Sequence, residues 1–450
     1  MNKMLFAGLS RFSFISKRVP IEVAILAFSK IWTSGMGLAT AFYIAASLEA
    51  VTQGYYYLFT SLGTLQFIVE LGIGVAIIQL AASENARTNV SIKGSYTGSK
   101  DSFSKLNSLM RFIIKWFSLG SVVLVILLML VGTAIINKTN IEPGREVYFP
   151  YYAYCISLAL IQLLNGMCSF FEGCGFIKEV ALVRLTQAFS NSTLLFALLF
   201  YGFGLYAMSV ALIVSILLGF VVFFWFFSAI ISMFYSSVVE KSISFIKDIF
   251  PFQKKLAASW FFGYLMGQLY VPMIAMNYGP EPAGEFGFLN QLISGISSIS
   301  ILWMTTKFPT ACRLYTERRY DDFKALFYKI IVDSYVVYIL IMSSLWGGIY
   351  FFDDILGVGD RLPSVLSIIK FSFVSLLMHF TFIVSMFFRA KKEEVYIIVT
   401  AVAAFGVFVL LLFYLPTCRD SVYNIYLVIN SFIFLFSLYM YKVKLFVKVC

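Results

Sequence analysis

The stretch QGYYYLFTSLGTLQFIVELGIGVAIIQLAA, Gln53 to Ala82, decides the fold class. It is long and apolar enough to cross a bilayer as a helix, yet it carries Gln66 and Glu70 near its middle. A charge at the centre of a spanning helix costs about 2.5 to 3.5 kcal/mol on insertion scales, so such a group faces a partner or a wet cavity rather than lipid. Glu70 is therefore expected to point inward. The apolar segment before it, Ile21 to Ala45, carries Lys30. At about 1.5 Å of rise per residue, two antiparallel neighbours bring Lys30 and Glu70 to a similar depth, roughly 14 to 15 Å below one surface. The rest of the chain is then expected to enclose that polar centre.

The composition supports this reading. Of 450 residues 60% are hydrophobic, 18% aromatic and only 13% charged, which excludes an ordinary soluble domain. Repeated apolar runs of around 20 residues, rather than alternating ten-residue segments, select helices over a barrel. The fold class is all-α, a polytopic membrane protein. Six scattered cysteines show no C-x-x-C pair, and the chain has one histidine, so neither a disulfide framework nor a zinc site is indicated. There is no phosphate-binding glycine loop, no G-x-S-x-G and no metal-ligand cluster. No cofactor is expected, and the chain reads as a non-enzyme. Met1 to Pro20 lacks the pattern of a removable signal peptide; Leu5, Leu9, Phe12 and Ile15 fall on one face, as in a short helix lying at the interface.

Twelve spans are expected: 21–45, 53–80, 109–136, 148–170, 178–202, 204–232, 251–277, 283–308, 327–351, 364–388, 393–416 and 421–441. With this count, 28 of the 34 Lys and Arg residues fall on the side of the termini and five on the other. The positive-inside rule makes both termini cytoplasmic, and the net charge of +11 reflects orientation rather than nucleic-acid binding. The longer connections, Ser83 to Ser108, Met233 to Phe250 and Thr310 to Leu326, read as cytoplasmic loops.

At an offset of 230, Gly54, Tyr56 and Leu62 match Gly284, Phe286 and Leu292. Likewise Phe170, Phe171, Glu172 and Gly173 resemble Phe387, Phe388, Arg389 and Ala390. Two pseudo-symmetric six-helix halves follow, residues 1–232 and 251–450 joined by a loop at 233–250, around a central cavity with the substrate site between them.

Candidate site residues come from polar positions inside the spans. Lys30, Thr33, Ser34, Gly37 and Ala41 share a helical face, as do Gly63, Gln66, Glu70 and Gly74. Gln268 and Gln291 share a depth beyond Lys30 and Glu70, and Lys307 marks a basic inner entrance. Lys30 and Glu70 either line a cavity or pair with each other to fix packing. Arg184 and Asp333 lie near helix ends and read as snorkelling residues, and His379 as a packed histidine. Asp321-Asp322 reads as a solvated loop and Asp353-Asp354 as an external turn.

Glu70 to Gln79 (ELGIGVAIIQ), Gly279 to Phe286 (GPEPAGEF) and Phe171 to Gly175 (FEGCG) resemble bacterial O-antigen and polysaccharide flippases. These belong to the multidrug/oligosaccharidyl-lipid/polysaccharide (MOP) exporter superfamily. The family usually has an acidic residue at the position of Glu70; Phe388-Arg389-Ala390-Lys391 matches its second-half counterpart only loosely. The resemblance implies a bacterial inner-membrane protein that flips an undecaprenyl-pyrophosphate-linked oligosaccharide by alternating access. Lys30 and Lys307 would neutralise the pyrophosphate, and Gln66, Gln268 and Gln291 would hydrogen-bond sugar hydroxyls, with Glu70 in the same site. Proton or sodium coupling, membrane lipid and other polysaccharide assembly proteins are the implied partners. The alternatives are a multidrug exporter of the same superfamily and a membrane-embedded polysaccharide polymerase or ligase.

Overall fold

A computed structural model describes residues 21–70, 72–139, 143–238, 250–391 and 393–445. The expected interfacial helix before residue 21 and most of the connection at 233–250 lie outside the described residues. The chain is a membrane-type bundle of helices: α1 Ile21–Ser47, α2 Ala50–Gly63, α3 Gln66–Glu70, α4 Ile73–Asn85, α5 Lys100–Ile136, α6 Arg145–Gly173, α7 Ile177–Phe200 and α8 Leu205–Ser236. There follow α9 Phe250–Gln268, α10 Tyr270–Tyr278, α11 Pro280–Thr316, α12 Tyr320–Leu356, α13 Val365–Ala390, α14 Ile397–Phe413 and α15 Ser421–Met440. A hairpin, β1 Thr88–Ser91 with β2 Ser95–Gly98, joins α4 to α5. Among the described residues nine helices are long and apolar enough to cross a membrane, and α2–α4 form a tenth, bent span. With α1 and the α9–α10 unit they fill the twelve expected places. One end of the bundle, the turn end, carries the tight odd-to-even turns such as 47–50 and 278–280; the other, the hairpin end, carries β1–β2.

Two expected spans are broken. The second stops at Thr64, whose hydroxyl donates to Ser61 O at 2.5 Å and so competes with the helical ladder. It breaks again at Gly72, which takes φ 67, a left-handed conformation that glycine adopts without a Cβ clash. The resulting bend is 43°. The seventh span breaks at Leu269. Pro272 has no N–H for the carbonyl four residues back, which is Gln268, and its ring crowds that carbonyl.

Other corrections lie at helix ends. The expected loop 83–108 is the hairpin plus the start of α5, where Ser99 Oγ caps Ser102 N–H at 3.4 Å and Asp101 sits in the first turn. The expected loop 310–326 is mostly helix, α11 and α12 being separated by residues 317–319. Spans outlined by hydropathy end where the residues turn polar, but these helices run on as amphipathic segments outside the apolar zone. Asp321 and Asp322 occupy the first turn of α12, with Arg319 2.8 Å from Asp322. Asp353 closes the other end of α12 by accepting from Val358 N–H and Gly359 N–H at 3.1 and 2.7 Å.

The core explains how the halves join. At the turn end one continuous apolar cluster draws on both, including Tyr55, Phe59, Tyr151, Tyr270, Phe286 and Phe371. Toward the hairpin end it divides. A cluster around Phe170, Phe171, Phe227 and Phe234 belongs wholly to the first half, and one around Phe323, Phe327, Phe387 and Phe388 wholly to the second. The residue pairs matched in sequence, Phe170-Phe171 and Phe387-Phe388, thus hold corresponding places. Packing repeats as well: α1 against α7 answers α9 against α14, and α6 against α8 answers α13 against α15.

Candidate functional site

The seam between the halves is built on α2 and α11 crossing near the turn end. A Cβ placed on Gly54 would overlap the Pro280 carbonyl, and one on Gly284 would stand 3.0 Å from Gly54 Cα. Three residues on, a Cβ on Gly287 would press against Tyr57. Gly54 faces Gly284 and Tyr57 faces Gly287, each pair 230 residues apart, so the pseudo-twofold axis runs between these two helix faces. The absent side chains let the backbones approach, as small residues do between membrane helices.

Polar bonds complete the seam one turn further in. Ser61 Oγ donates to Gln268 O at 2.8 Å, replacing the helical bond that Pro272 removes. Gln291 Nε2 donates to Gly37 O at 2.9 Å. Both expected glutamines therefore serve the seam, Gln268 through its backbone and Gln291 through its amide. Toward the hairpin end the contact opens: among the described residues no neighbour lies within 4 Å of a Cβ placed on Gly35 of α1 or on Gly263 of α9.

The expected neighbourhood of Lys30 and Glu70 is corrected. α1 packs on α7 and α11 and touches α2 only slightly, whereas α3 and α4 pack on α5, α6 and α9. The two antiparallel segments meet near their shared turn and diverge below it. Lys30 lies in α1, and its side chain is outside the described residues. Gln66, at the start of α3, is buried. Glu70 faces α6: the place a Cβ would take on Gly74 is 3.0 Å from Glu70 Oε1 and 3.1 Å from Ser169 Oγ. Gly74 thus leaves room for that carboxylate and hydroxyl. The positive charge acting on Glu70 among the described side chains is Arg184, which lies 2.8 Å from Glu172, an ion pair bent away from hydrogen-bond geometry. Arg184, read from sequence as a snorkelling residue, is instead the positive centre of a Glu70–Arg184–Glu172 patch. Lys307 is exposed on α11, in the chain's other half.

The second half holds a cavity of about 460 Å³ between α9, α11, α13, α14 and α15, its wall mainly apolar with a set of polar side chains in it. Asn290, Ser294 and Ser297 line it from α11; Ser375, His379 and Ser385 line it from α13. Of these residues the sequence singled out only His379, which it read as a packed histidine. Their signal was present as helical spacing, i, i+4, i+7 on α11 and i, i+4, i+10 on α13, but serines in an apolar helix are as readily satisfied by their own backbone. A further space of about 610 Å³ between α1, α7 and α8 is mainly apolar, with Phe28, Leu182, Leu185 and Phe189 in its wall.

The arrangement has counterparts among solved structures. An inward-facing multidrug resistance MATE family transporter of the MOP superfamily superposes with a TM-score of 0.64 at 14% identity, over 94% of this chain and 98% of that one. Lipid II flippase MurJ, in an inward closed conformation, gives 0.62 at 14% identity over 94% and 89%. This chain has the fold of MOP transporters. An outward-facing MATE transporter gives only 0.52, at 15% identity over 95% and 96%, in keeping with a seam closed at one end. No protein-family model matches the sequence, and no curated protein matches it. The solved relatives bearing the MOP fold are described as transporters and flippases, and none of those three as an enzyme.

Proposed function

We propose that the chain is a bacterial inner-membrane flippase that moves an undecaprenyl-pyrophosphate-linked oligosaccharide between leaflets by alternating access. The observation that carries this reading is the divided core: one apolar cluster joins both halves at the turn end, and a separate cluster stiffens each half at the hairpin end. Such halves rock about their seam as rigid bodies. The units are residues 1–232 and 251–450 with 233–250 as their link. The excess of Lys and Arg toward the hairpin end favours a cytoplasmic position for that end, in which case the described state would open inward. Lys30 and Lys307 would meet the pyrophosphate on entry, while the apolar space beside α1, α7 and α8 would accept part of the polyprenyl tail. Gln66, Gln268 and Gln291 would contact sugar once the seam opens, and Glu70 would respond to a proton or sodium gradient.

The test is genetic and chemical together. Deleting the gene should abolish a surface polysaccharide and make its lipid-linked precursor accumulate on the cytoplasmic side; unchanged polysaccharide would refute the proposal. Orientation is checked with single cysteines in a cysteine-free chain: Ser95→Cys, exposed on β2, should label from the cytoplasm only and Glu281→Cys from outside only. A multidrug exporter is the second reading, favoured by the carboxylates of Glu70 and Glu172 in one half. Rhodamine 6G efflux lost on deletion, with polysaccharide intact, would select it.

A further inference from the structure

The cavity in the second half differs chemically from the charged patch in the first. Its volume of about 460 Å³ falls within the roughly 300 to 1,000 Å³ typical of small-molecule sites. His379, the sole histidine of the chain, lines it and is 2% exposed. The imidazole stands 5.0 and 5.1 Å from the rings of Tyr335 and Tyr338, and no described protein group bonds either ring nitrogen. A buried polar group without a partner is costly, so this one is matched to a polar guest.

The remaining wall narrows the guest. Asn290, Ser294, Ser297 and Ser375 present neutral donors and acceptors; Ser375 is oriented by the Tyr338 hydroxyl, which donates to it at 2.7 Å. Among the described residues no Asp or Glu lines the cavity, which removes the carboxylates that a hard metal ion favours and the counter-charge for an organic cation. Arg389, the one cation among the described lining residues, is exposed and 3.5 Å from Glu394, too little positive charge for a pyrophosphate. Phe371 and Tyr426, stacked at 4.3 Å with 6° between their planes, add a flat apolar surface. Neutral hydrogen-bonding groups beside aromatic rings suit an uncharged, hydroxyl-rich ring.

We propose that this cavity is a carbohydrate subsite that takes a sugar residue of the transported glycan. The proposal rests on the flippase reading for the source of that sugar, while the chemistry of the site stands on its lining. During translocation the subsite would hold the glycan within the second half while the pyrophosphate engages cationic groups elsewhere.

Because the chain has one histidine, labelling with ¹⁵N-histidine makes the imidazole a reporter of this cavity in the full-length protein in nanodiscs. Three probes are titrated: the glycosylated undecaprenyl pyrophosphate fraction extracted from cells carrying the gene, the glycan released from it by mild acid, and undecaprenyl pyrophosphate alone. The imidazole resonances should shift with the first two and stay fixed with the third. Asn290→Leu should weaken the response to the released glycan at least tenfold; Ser294→Ala, at an exposed position, should weaken it measurably and serves if the former misfolds. No shift with either glycosylated probe, meaning a cavity filled by water alone, or an equal shift with undecaprenyl pyrophosphate, would overturn the subsite. A fixed imidazole together with precursor accumulation on gene deletion refutes the subsite only; a glycan-induced shift with undisturbed polysaccharide refutes the flippase reading only.

Discussion

Ser61 and Gln291 stand 230 residues apart and do the same work: each side chain donates to a backbone carbonyl of the other half, Ser61 to Gln268 O at 2.8 Å and Gln291 to Gly37 O at 2.9 Å. Gly54 and Tyr57 on α2, and Gly284 and Gly287 on α11, lie on the same faces one and two turns nearer the turn end. The axis of the bundle is thus lined by residues that the internal repeat pairs with one another.

Ser61→Ala should leave the Gln268 carbonyl unpaired and weaken the described closed state by about 1 to 3 kcal/mol. Pro272→Ala restores an N–H for that carbonyl, so Ser61→Ala should cost less in the Pro272→Ala background. Cysteine accessibility at Ala50, in the turn-end wall, measures the closed population in each variant. Equal costs in the two backgrounds would mean that Ser61 does not compensate the proline.

The close crossing of α2 and α11 predicts a ranking. Gly54→Ala places a methyl group against the Pro280 backbone, which cannot rotate away, whereas Gly284→Ala meets Gly54 Cα at 3.0 Å. Overpacking costs typically about 1 to 3 kcal/mol, and Gly54→Ala should lie at the upper end, with Gly284→Ala below it. Thermal unfolding in detergent gives the order; the reverse order would place the tight contact elsewhere.

Arg184 serves two carboxylates, so removing it should destabilise more than removing a partner. The pair with Glu172 is partly exposed, side chains 39% and 27%, which sets its loss below the roughly 3 to 5 kcal/mol of a fully buried pair. Arg184→Ala with Glu172→Ala should be more stable than Arg184→Ala alone, by a coupling of about 0.5 to 3 kcal/mol. Strict additivity would show that the ion pair is idle. Glu70→Gln in the otherwise intact protein should retain substrate binding and lose gradient-driven translocation, measured in proteoliposomes; unimpaired transport would remove Glu70 from coupling.

Gln53 is 2% exposed and neither polar atom of its side chain bonds to a described protein group, although it lies beside Glu281, Glu285, Asp360 and Arg361. Replacing such a group by an apolar one of similar size is neutral or stabilising. Gln53→Leu should therefore hold the turn end closed more firmly, raising thermal stability and slowing transport. A destabilised Gln53→Leu protein would show that the amide is satisfied in the membrane.

Much of this architecture was legible in the sequence. Apolar runs of spanning length require helices whose backbones satisfy themselves, and the match of Gly54 with Gly284 announced the two halves. Hydropathy alone did not show that α5, α11 and α12 continue past the apolar zone, nor that α2–α4 is broken, because a polar helix end and a left-handed Gly72 change conformation without changing the apolar count. Side-chain partners were the least legible. Helical spacing says which residues share a face, but not which helix lies opposite. Glu70 was matched with Lys30 from depth alone, yet α1 packs on α7 and α11, and among the described side chains the positive charge on Glu70 comes from Arg184 of α7. In the same way Gln291 became a clamp on α1 and the serines with His379 became a cavity wall. The sequence by itself determined the spans and their pseudo-symmetry, since these follow from local apolarity and repetition; only the tertiary structure decided where spans break and which polar groups meet, since that depends on local backbone geometry and on how helices cross.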